Sequence, residues 1–161
     1  MASTGGATTY TVTGLTAGTE YFFKVQAKNE VGDADLSDPA GFFAGSVPSQ
    51  PLSLQLEAQS RLLIKFSWQA PSDFGGVGLT LYTIYWDSGS GSADLSSFSS
   101  IGTKNPNDQL VFTQAAGLSA GQDYQLYVIA HNSIGESVPS SVITIKAASE
   151  PSAPDTFTTV S

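Results

Sequence analysis

The sequence predicts an all-β protein built from tandem β-sandwich repeats, and three observations lead to this prediction. Short runs alternate apolar and polar residues with the period of two typical of half-buried strands, and no segment sustains a helical period of 3.6. Turn-forming residues, including 16 glycines and 8 prolines, separate these runs. A long stretch of the sequence also recurs 103 residues later, from Gly14 to Gly117.

The repeat is read in one continuous register. Residues 14–21 (GLTAGTEY) match residues 117–124 (GLSAGQDY), with the same glycines, leucine, alanine and tyrosine at the same places. The register continues without a gap through further identical pairs: Val25 and Val128, Ala27 and Ala130, Asn29 and Asn132, Gly32 and Gly135, Ser37 and Ser140. Agreement of this length indicates internal duplication.

Proline pairs mark the boundaries between repeats. Pro48 and Pro51 recur at the same offset as Pro151 and Pro154. Each ring fixes φ and removes a backbone donor, so we expect short, stiff connectors and a semi-rigid rod. The boundaries divide the chain into the last three strands of one repeat (1–46), a complete repeat (47–149) and the start of a third repeat or a donated strand (150–161).

The complete repeat contains seven predicted strands. They cover residues 52–57, 62–68, 79–86, a weaker run within 95–102, 109–114, 124–132 and 141–147. A run at residues 8–13 mirrors the strand at 109–114. The inward positions predict a core that includes Trp68, Tyr82, Ile84 and Tyr124, and the alternation in residues 124–132 also places Leu126, Val128 and Ala130 inward. Leu118 belongs to the predicted core as well, and so do Leu15 and Tyr21 in the first repeat.

Several spaced motifs together resemble a known family. They are Trp68 followed by Pro71, Tyr82-x-Ile84, Leu118-x-x-Gly121-x-x-Tyr124 and Ala130-x-Asn132-x-x-Gly135, with the second half repeated at Leu15, Gly18, Tyr21, Ala27, Asn29 and Gly32. This pattern resembles the fibronectin type III domain over nearly the whole chain. The resemblance implies an immunoglobulin-like seven-stranded sandwich with Trp68 at its centre. It also implies that Tyr124 and Tyr21 form tyrosine corners, whose hydroxyls bond to upstream backbone. The fold hosts many functions and does not fix a mechanism.

Residues 1–46 hold too few strands for a sandwich. Alone they would expose apolar side chains, including Leu15 and Val25, and unpaired strand edges. Three strands also make a poor independent unit. Two interpretations remain open. The chain is a slice of a longer polypeptide that contains the other strands, or a neighbouring subunit completes the half-domain by strand addition.

Candidate catalytic and metal-binding residues are sparse. His131 is the only histidine, and its sequence neighbours Ala130, Asn132 and Ser133 offer no carboxylate, so we expect a structural or solvent-facing role. Asp73, Asp87 and Asp94 lie in loops without a calcium-binding spacing, which favours plain turn chemistry. No nucleophile motif, phosphate loop or Arg-Gly-Asp tripeptide occurs. The sequence therefore predicts no enzyme, cofactor or metal site.

Outward positions suggest an interaction surface instead. Tyr85, Tyr127 and Ile129 are predicted to face out on neighbouring strands as a small exposed apolar patch. Phe22 is an equivalent outward position in the first repeat, and tyrosine suits such contacts because it is rigid and amphipathic. Scattered surface aromatics are the alternative interpretation.

Charge and composition limit the function class. A net charge of −8 argues against binding to nucleic acid or anionic lipid. The sequence contains no run of 18 apolar residues, so it does not predict membrane insertion. The Ser/Thr-rich surface is compatible with O-linked glycan. We expect a structural or adhesive module of an extracellular or cell-surface fibre, whose partners are other copies or neighbouring repeats. The alternatives are a spacer of a larger extracellular enzyme or receptor, and an intracellular scaffold of cilia or cytoskeleton.

Overall fold

A computed structural model describes residues 6–149 of the chain. Seven strands form the complete repeat: β3 (Leu52–Ser60), β4 (Leu63–Gln69), β5 (Leu79–Trp86), β6 (Ser99–Lys104), β7 (Val111–Gln114), β8 (Asp123–Asn132) and β9 (Ile143–Lys146). A short 3-10 turn, Leu95–Ser97, precedes β6. The seven-stranded prediction is confirmed. The weak strand predicted within 95–102 begins only at Ser99, because residues 95–97 form the 3-10 turn that Asp94 caps.

The strands form two antiparallel sheets. One has the order β3-β4-β7 and the other the order β6-β5-β8-β9. The central strand β8 pairs with β5 on one side, where Ile84 lies opposite Val128, and with β9 on the other, where Tyr124 lies opposite Ile145. These pairings place the alternating apolar residues of β5, β8 and β9 on one face, which packs on the smaller sheet.

The core lies between the two sheets. The predicted core residues Trp68, Tyr82, Ile84 and Tyr124 are buried, and Leu118 is half-buried against them. The other buried members of this core are Ile64, Phe66, Trp86, Leu126, Val128, Ala130, Ile145 and Ala147. The complete repeat therefore has a full hydrophobic core of its own.

The partial repeat forms two strands, β1 (Glu20–Phe23) and β2 (Ala40–Phe43), which pair antiparallel. Glu20 lies opposite Phe43, and 103 residues later Asp123 lies opposite Lys146, so the sequence repeat is also a repeat of strand register.

The prediction of three strands in residues 1–46 is wrong, because residues 8–13 form no strand. Their counterpart β7 pairs with β4, and residues 6–46 contain no counterpart of β4. For the same reason the two core predictions of this repeat fail in part: Leu15 is 38% exposed and Tyr21 is only half-buried. The predicted third segment, 150–161, lies outside the described residues.

Candidate functional site

The connector between the repeats lies against a loop of the complete repeat. The Ser46 amide donates to the Gly75 carbonyl at 2.9 Å, and the Ser49 amide donates to the Asp73 carbonyl at 2.9 Å. The Asp73 amide in turn donates to the Ser49 hydroxyl at 3.1 Å. Backbone hydrogen bonds of this kind fix position and orientation together. We call this set of contacts, around residues 44–49, the joint.

Asn132 connects the joint to the end of β8. Its side-chain nitrogen donates to the carbonyl of Ser46 at 2.7 Å and to that of Phe74 at 2.9 Å. Its side-chain oxygen accepts from the amides of Ile134 at 2.9 Å and Gly135 at 3.0 Å. The amide group uses both of its donor hydrogens and both acceptor positions. Asn132 is buried. It therefore joins the connector, a loop and a turn at one point.

Two adjacent glycines allow the repeats to touch through their backbones. Gly75 and Gly76 both have φ near +75°, and a Cβ on either would collide with backbone of the preceding repeat, at Ser46 for Gly75 and at Gly18 for Gly76. Glycine is the residue that permits both the positive φ and this close approach. Both glycines lie between the predicted strands at 62–68 and 79–86, and nothing in the sequence pattern indicated the contact.

The predicted tyrosine corners are present in both repeats. The Tyr124 hydroxyl accepts from the Ser119 amide at 2.7 Å and donates to the Gly117 carbonyl at 3.2 Å. The Tyr21 hydroxyl accepts from the Thr16 amide at 3.0 Å. This backbone hydrogen bond lowers the pKa of Tyr21, because it stabilises the phenolate.

The predicted exposed patch is wrong for Tyr127 and Ile129, which are only 5% and 8% exposed. Both point away from the main core, as expected, but Phe98 and Leu95 cover them and form a second hydrophobic cluster that Tyr85 completes. Tyr85 stacks on Tyr127 with ring centroids 5.0 Å apart. The face is thus closed within the repeat itself.

Phe22 does lie on an open surface. Its side chain is 66% exposed on the outer face of β1, next to Gly41 and diagonal to Phe43, which is 62% exposed. The counterparts of Phe22 and Phe43 in the complete repeat are the polar residues Gln125 and Lys146. An interface at Phe22 stays a prediction.

Comparison with known proteins identifies the family. The model of the fibronectin type III domain matches residues 2–43 and 48–146. The chain belongs to the fibronectin type III family. The two matched ranges correspond to the partial and complete repeats, and the family's β-sandwich fold agrees with the two sheets described above.

Its relatives are long proteins. The chain is 32% identical over 145 residues to receptor-type tyrosine-protein phosphatase F of Danio rerio and 30% identical over 139 residues to cell adhesion molecule Dscam2 of Drosophila melanogaster. These matches cover 88% and 84% of the chain but only 7% and 6% of the relatives.

Among solved structures, domains A168–A170 of titin share the fold. Their TM-score is 0.62 at 24% identity, over 80% of this chain and 41% of that one. Fibronectin type III domains are typically non-catalytic modules, and they occur in titin, receptor phosphatases and adhesion molecules, which indicates a structural or adhesive role.

His131 has a carboxylate neighbour that sequence proximity did not reveal. A β-bridge between His131 and Glu136 brings the imidazole Nδ1 to 3.6 Å from the carboxylate, and Nε2 lies 2.8 Å from the Thr83 hydroxyl. The sequence of contacts from Thr83 through His131 to Glu136 resembles that of a hydrolytic triad. However, Thr83 is 8% exposed, and the imidazole–carboxylate distance exceeds a hydrogen bond. This cluster connects β5, β8 and the following turn.

The three loop aspartates each organise a turn. Asp87 is buried and accepts from the amides of Gly89, Gly91 and Gln125, while Asp73 accepts from the Gly75 amide beside the joint. Asp94 accepts from the hydroxyl and amide of Ser96, and these hydrogen bonds lower the pKa of Asp94.

Within residues 6–149, no three acidic or histidine side chains gather as a metal site would require. Nor does this range contain a helix with the length and apolarity needed to cross a membrane.

Proposed function

We propose that this chain is a non-catalytic segment of a fibronectin type III array that forms an extended, semi-rigid rod outside the cell. The joint is the single observation that carries the proposal. Ser46 and Ser49 donate to loop carbonyls, and Asn132 holds the Ser46 carbonyl at 2.7 Å. A flexible connector would leave these groups to water, whereas a hydrogen-bonded connector transmits orientation from one repeat to the next.

The partial repeat belongs to such an array as an incomplete unit. Its inner face carries Val25 and Phe42, which are 73% and 61% exposed. Their counterparts Val128 and Ile145 are buried beneath the sheet of β3, β4 and β7. We infer that counterparts of β3–β6, from another segment of the same polypeptide, cover this face together with residues 8–13, the counterpart of β7. A 161-residue chain that is monomeric and unfolds cooperatively as a whole would contradict this inference.

The relatives support this role and also a second one. A cell adhesion molecule fits an adhesive array, and a receptor phosphatase fits the alternative in which the repeats space a larger enzyme or receptor. A fixed geometry between repeats is compatible with both uses, and the joint is the feature of this chain that would supply it. The joint is therefore the feature to test first.

The test is a thermodynamic cycle on Asn132. Trp68 and Trp86, the only tryptophans, both lie in the core of the complete repeat, so their fluorescence reports its unfolding. We expect Asn132→Ala to lower the free energy of unfolding in the full chain and in a chain that begins at Val47. The cost should be greater by about 1 kcal/mol in the full chain, because only there is the Ser46 hydrogen bond lost.

Asn29 supplies the matched control. Its side-chain oxygen caps an equivalent turn, accepting from the amides of Val31 and Gly32. We expect Asn29→Ala in the full chain to leave the tryptophan-monitored transition unchanged. Equal costs of Asn132→Ala in the long and short chains would mean that the joint stabilises nothing, and the rod proposal would fail.

A further inference from the structure

The partial repeat receives the Gly75-Gly76 loop on a small backbone surface. We call this surface, formed by Ala17, Gly18 and Ser46, the socket. The Gly18 amide donates to the Ala44 carbonyl at 2.7 Å, which fixes the turn beside the connector. The Ser46 amide then donates to Gly75, and Gly18 lies in backbone contact with Gly76. The socket and the Gly75-Gly76 loop therefore form the backbone part of the contact between the repeats.

The same surface recurs at the far end of the complete repeat. Ala120, Gly121 and Ser149 stand 103 residues after the three socket residues. The Gly121 amide donates to the Ala147 carbonyl at 2.8 Å, and its φ of 78° matches the 76° of Gly18. In the part of the chain that the structure describes, the nearest atom to a Cβ built on Gly121 is the Ser149 Cβ, at 3.8 Å. Within residues 6–149, the Cβ position of Gly121 is therefore uncovered in the second socket, as the backbone contact of the first socket requires.

We propose that the socket of Ala120, Gly121 and Ser149 is a docking surface for the glycine-glycine loop of a following repeat of the same kind. The inference rests on the proposed rod, and it specifies which surface of each repeat binds which loop of the next. We choose this partner because the first socket already binds such a loop. There, the Gly75 carbonyl accepts from the Ser46 amide, and Gly75 and Gly76 have no side chains to block the contact. In the sequence, Pro151 and Pro154 repeat the spacing of Pro48 and Pro51.

The residues beside the two sockets differ. Lys146 stands where the first repeat has Phe43, and its Nζ donates to the Gly121 carbonyl at 3.4 Å. Ala148 stands where the first joint has Gly45, and a Cβ on Gly45 would lie 2.9 Å from the Ile134 Cγ1 and 3.0 Å from its Cδ1. These atoms belong to the flexible end of a half-exposed side chain. A rotation of that side chain accommodates the extra methyl group, so the backbone contacts of the socket can form unchanged.

The experiment extends the chain by one repeat. Residues 1–154 are followed by a second copy of residues 52–149, which keeps the native second connector. The protein contains no cysteine, so spin labels can be placed at chosen cysteines without interference. Asp38 and Ser141 are exposed and occupy equivalent positions. One labelled pair, Asp38→Cys with Ser141→Cys, spans the first joint. A second pair, Ser141→Cys with the same change in the copy, spans the new one.

Pulsed electron paramagnetic resonance then compares the two distance distributions. We expect two narrow distributions with the same mean. Gly76→Ala in the copy should broaden the second, because its Cβ collides with the socket backbone, whereas Gly78→Ala in the same loop should not, because no atom lies within 4 Å of its Cβ position.

The outcomes separate this inference from the proposed function. A narrow first distribution with a broad or displaced second one overturns the second socket and leaves the rod proposal standing. Two broad distributions overturn both. A narrow second distribution that Gly76→Ala leaves unchanged would show that the connector alone fixes the geometry, and this also overturns the assigned docking surface.

Discussion

Two buried tyrosines of the complete repeat differ in the hydrogen bonding of their hydroxyl groups. Tyr82 is fully buried, and its hydroxyl has no hydrogen-bond partner in the described residues. The Tyr124 hydroxyl has two backbone partners. We therefore expect Tyr82→Phe to raise the free energy of unfolding at pH 7 by about 1 kcal/mol, because it removes a desolvated polar group. Chemical denaturation followed by tryptophan fluorescence measures this change.

Tyr124→Phe is the matched control, since the same atom is removed from the same core. It should lower the free energy of unfolding by about 1–3 kcal/mol, because the Ser119 amide loses its acceptor. If both substitutions destabilise the repeat equally, Tyr82 has a partner that this account lacks.

Tyr82 also predicts a loss of stability at alkaline pH. Burial raises the pKa of Tyr82 to about 12, above its ordinary value of 10.0. The folded state therefore holds its proton more tightly than the unfolded state, and the free energy of unfolding falls as pH rises from 10 towards 12. The expected loss is on the order of 2–3 kcal/mol. Tyr82→Phe should reduce that loss in denaturation curves recorded across this range; identical pH dependence in both proteins would contradict the assignment.

The segment from Asp94 to Phe98, which contains the 3-10 turn, covers the outer face of β8. Asp94 caps the 3-10 turn, and the turn directs Phe98 onto Tyr127 with ring centroids 5.3 Å apart. We expect Phe98→Ala to lower the free energy of unfolding by about 3 kcal/mol, because it uncovers Tyr127 and Ile129.

Leu62 is the control for Phe98, because its side chain is 65% exposed. Leu62→Ala should change the free energy of unfolding by no more than about 0.5 kcal/mol. A Phe98→Ala variant as stable as this control would mean that the second cluster does not hold the segment, and the predicted open patch would be restored.

The sequence predicted the strands and their inward faces better than it predicted the burial of the outward faces. The alternation in β8 correctly assigned Tyr124, Leu126, Val128 and Ala130 to the core, and β5 has the predicted bounds. Alternation tells on which face of a sheet a residue lies, but a second layer on the outer face depends on a loop conformation. For this reason the prediction for Tyr127 is correct about the face of the sheet and wrong about its exposure.

At the scale of the whole molecule, we expect the two repeats to differ in stability. A two-stranded sheet is marginal in water, so the amides of β1 and β2 should exchange with solvent much faster than those of β8 and β9. Fusing residues 47–110 in front of Thr8 supplies counterparts of β3–β6 and should slow exchange in β1 and β2. Hydrogen exchange followed by NMR measures both. Equal protection of the two sheets without the fusion would show that the partial repeat needs no completion.

The joint could not be predicted from the sequence, because it depends on contacts between distant residues. Asn132 and Ser46 are 86 positions apart, and the repeat pattern explains Asn132 equally well as a turn residue. The paired prolines predict a stiff connector. The stiffness stays a prediction, which the hydrogen bonds of Ser46 and Ser49 support.

The most direct test of the rod is amide exchange at Ser46 and Ser49 in the unmodified chain. Both amides donate to carbonyls of the Asp73–Gly75 loop, at 2.9 Å each. If the repeats are held in a fixed relation, both amides exchange well below the rate of an unstructured peptide, and Asn132→Ala accelerates exchange at Ser46. Exchange of both amides at the unstructured rate would contradict the account, because the connector would then be free.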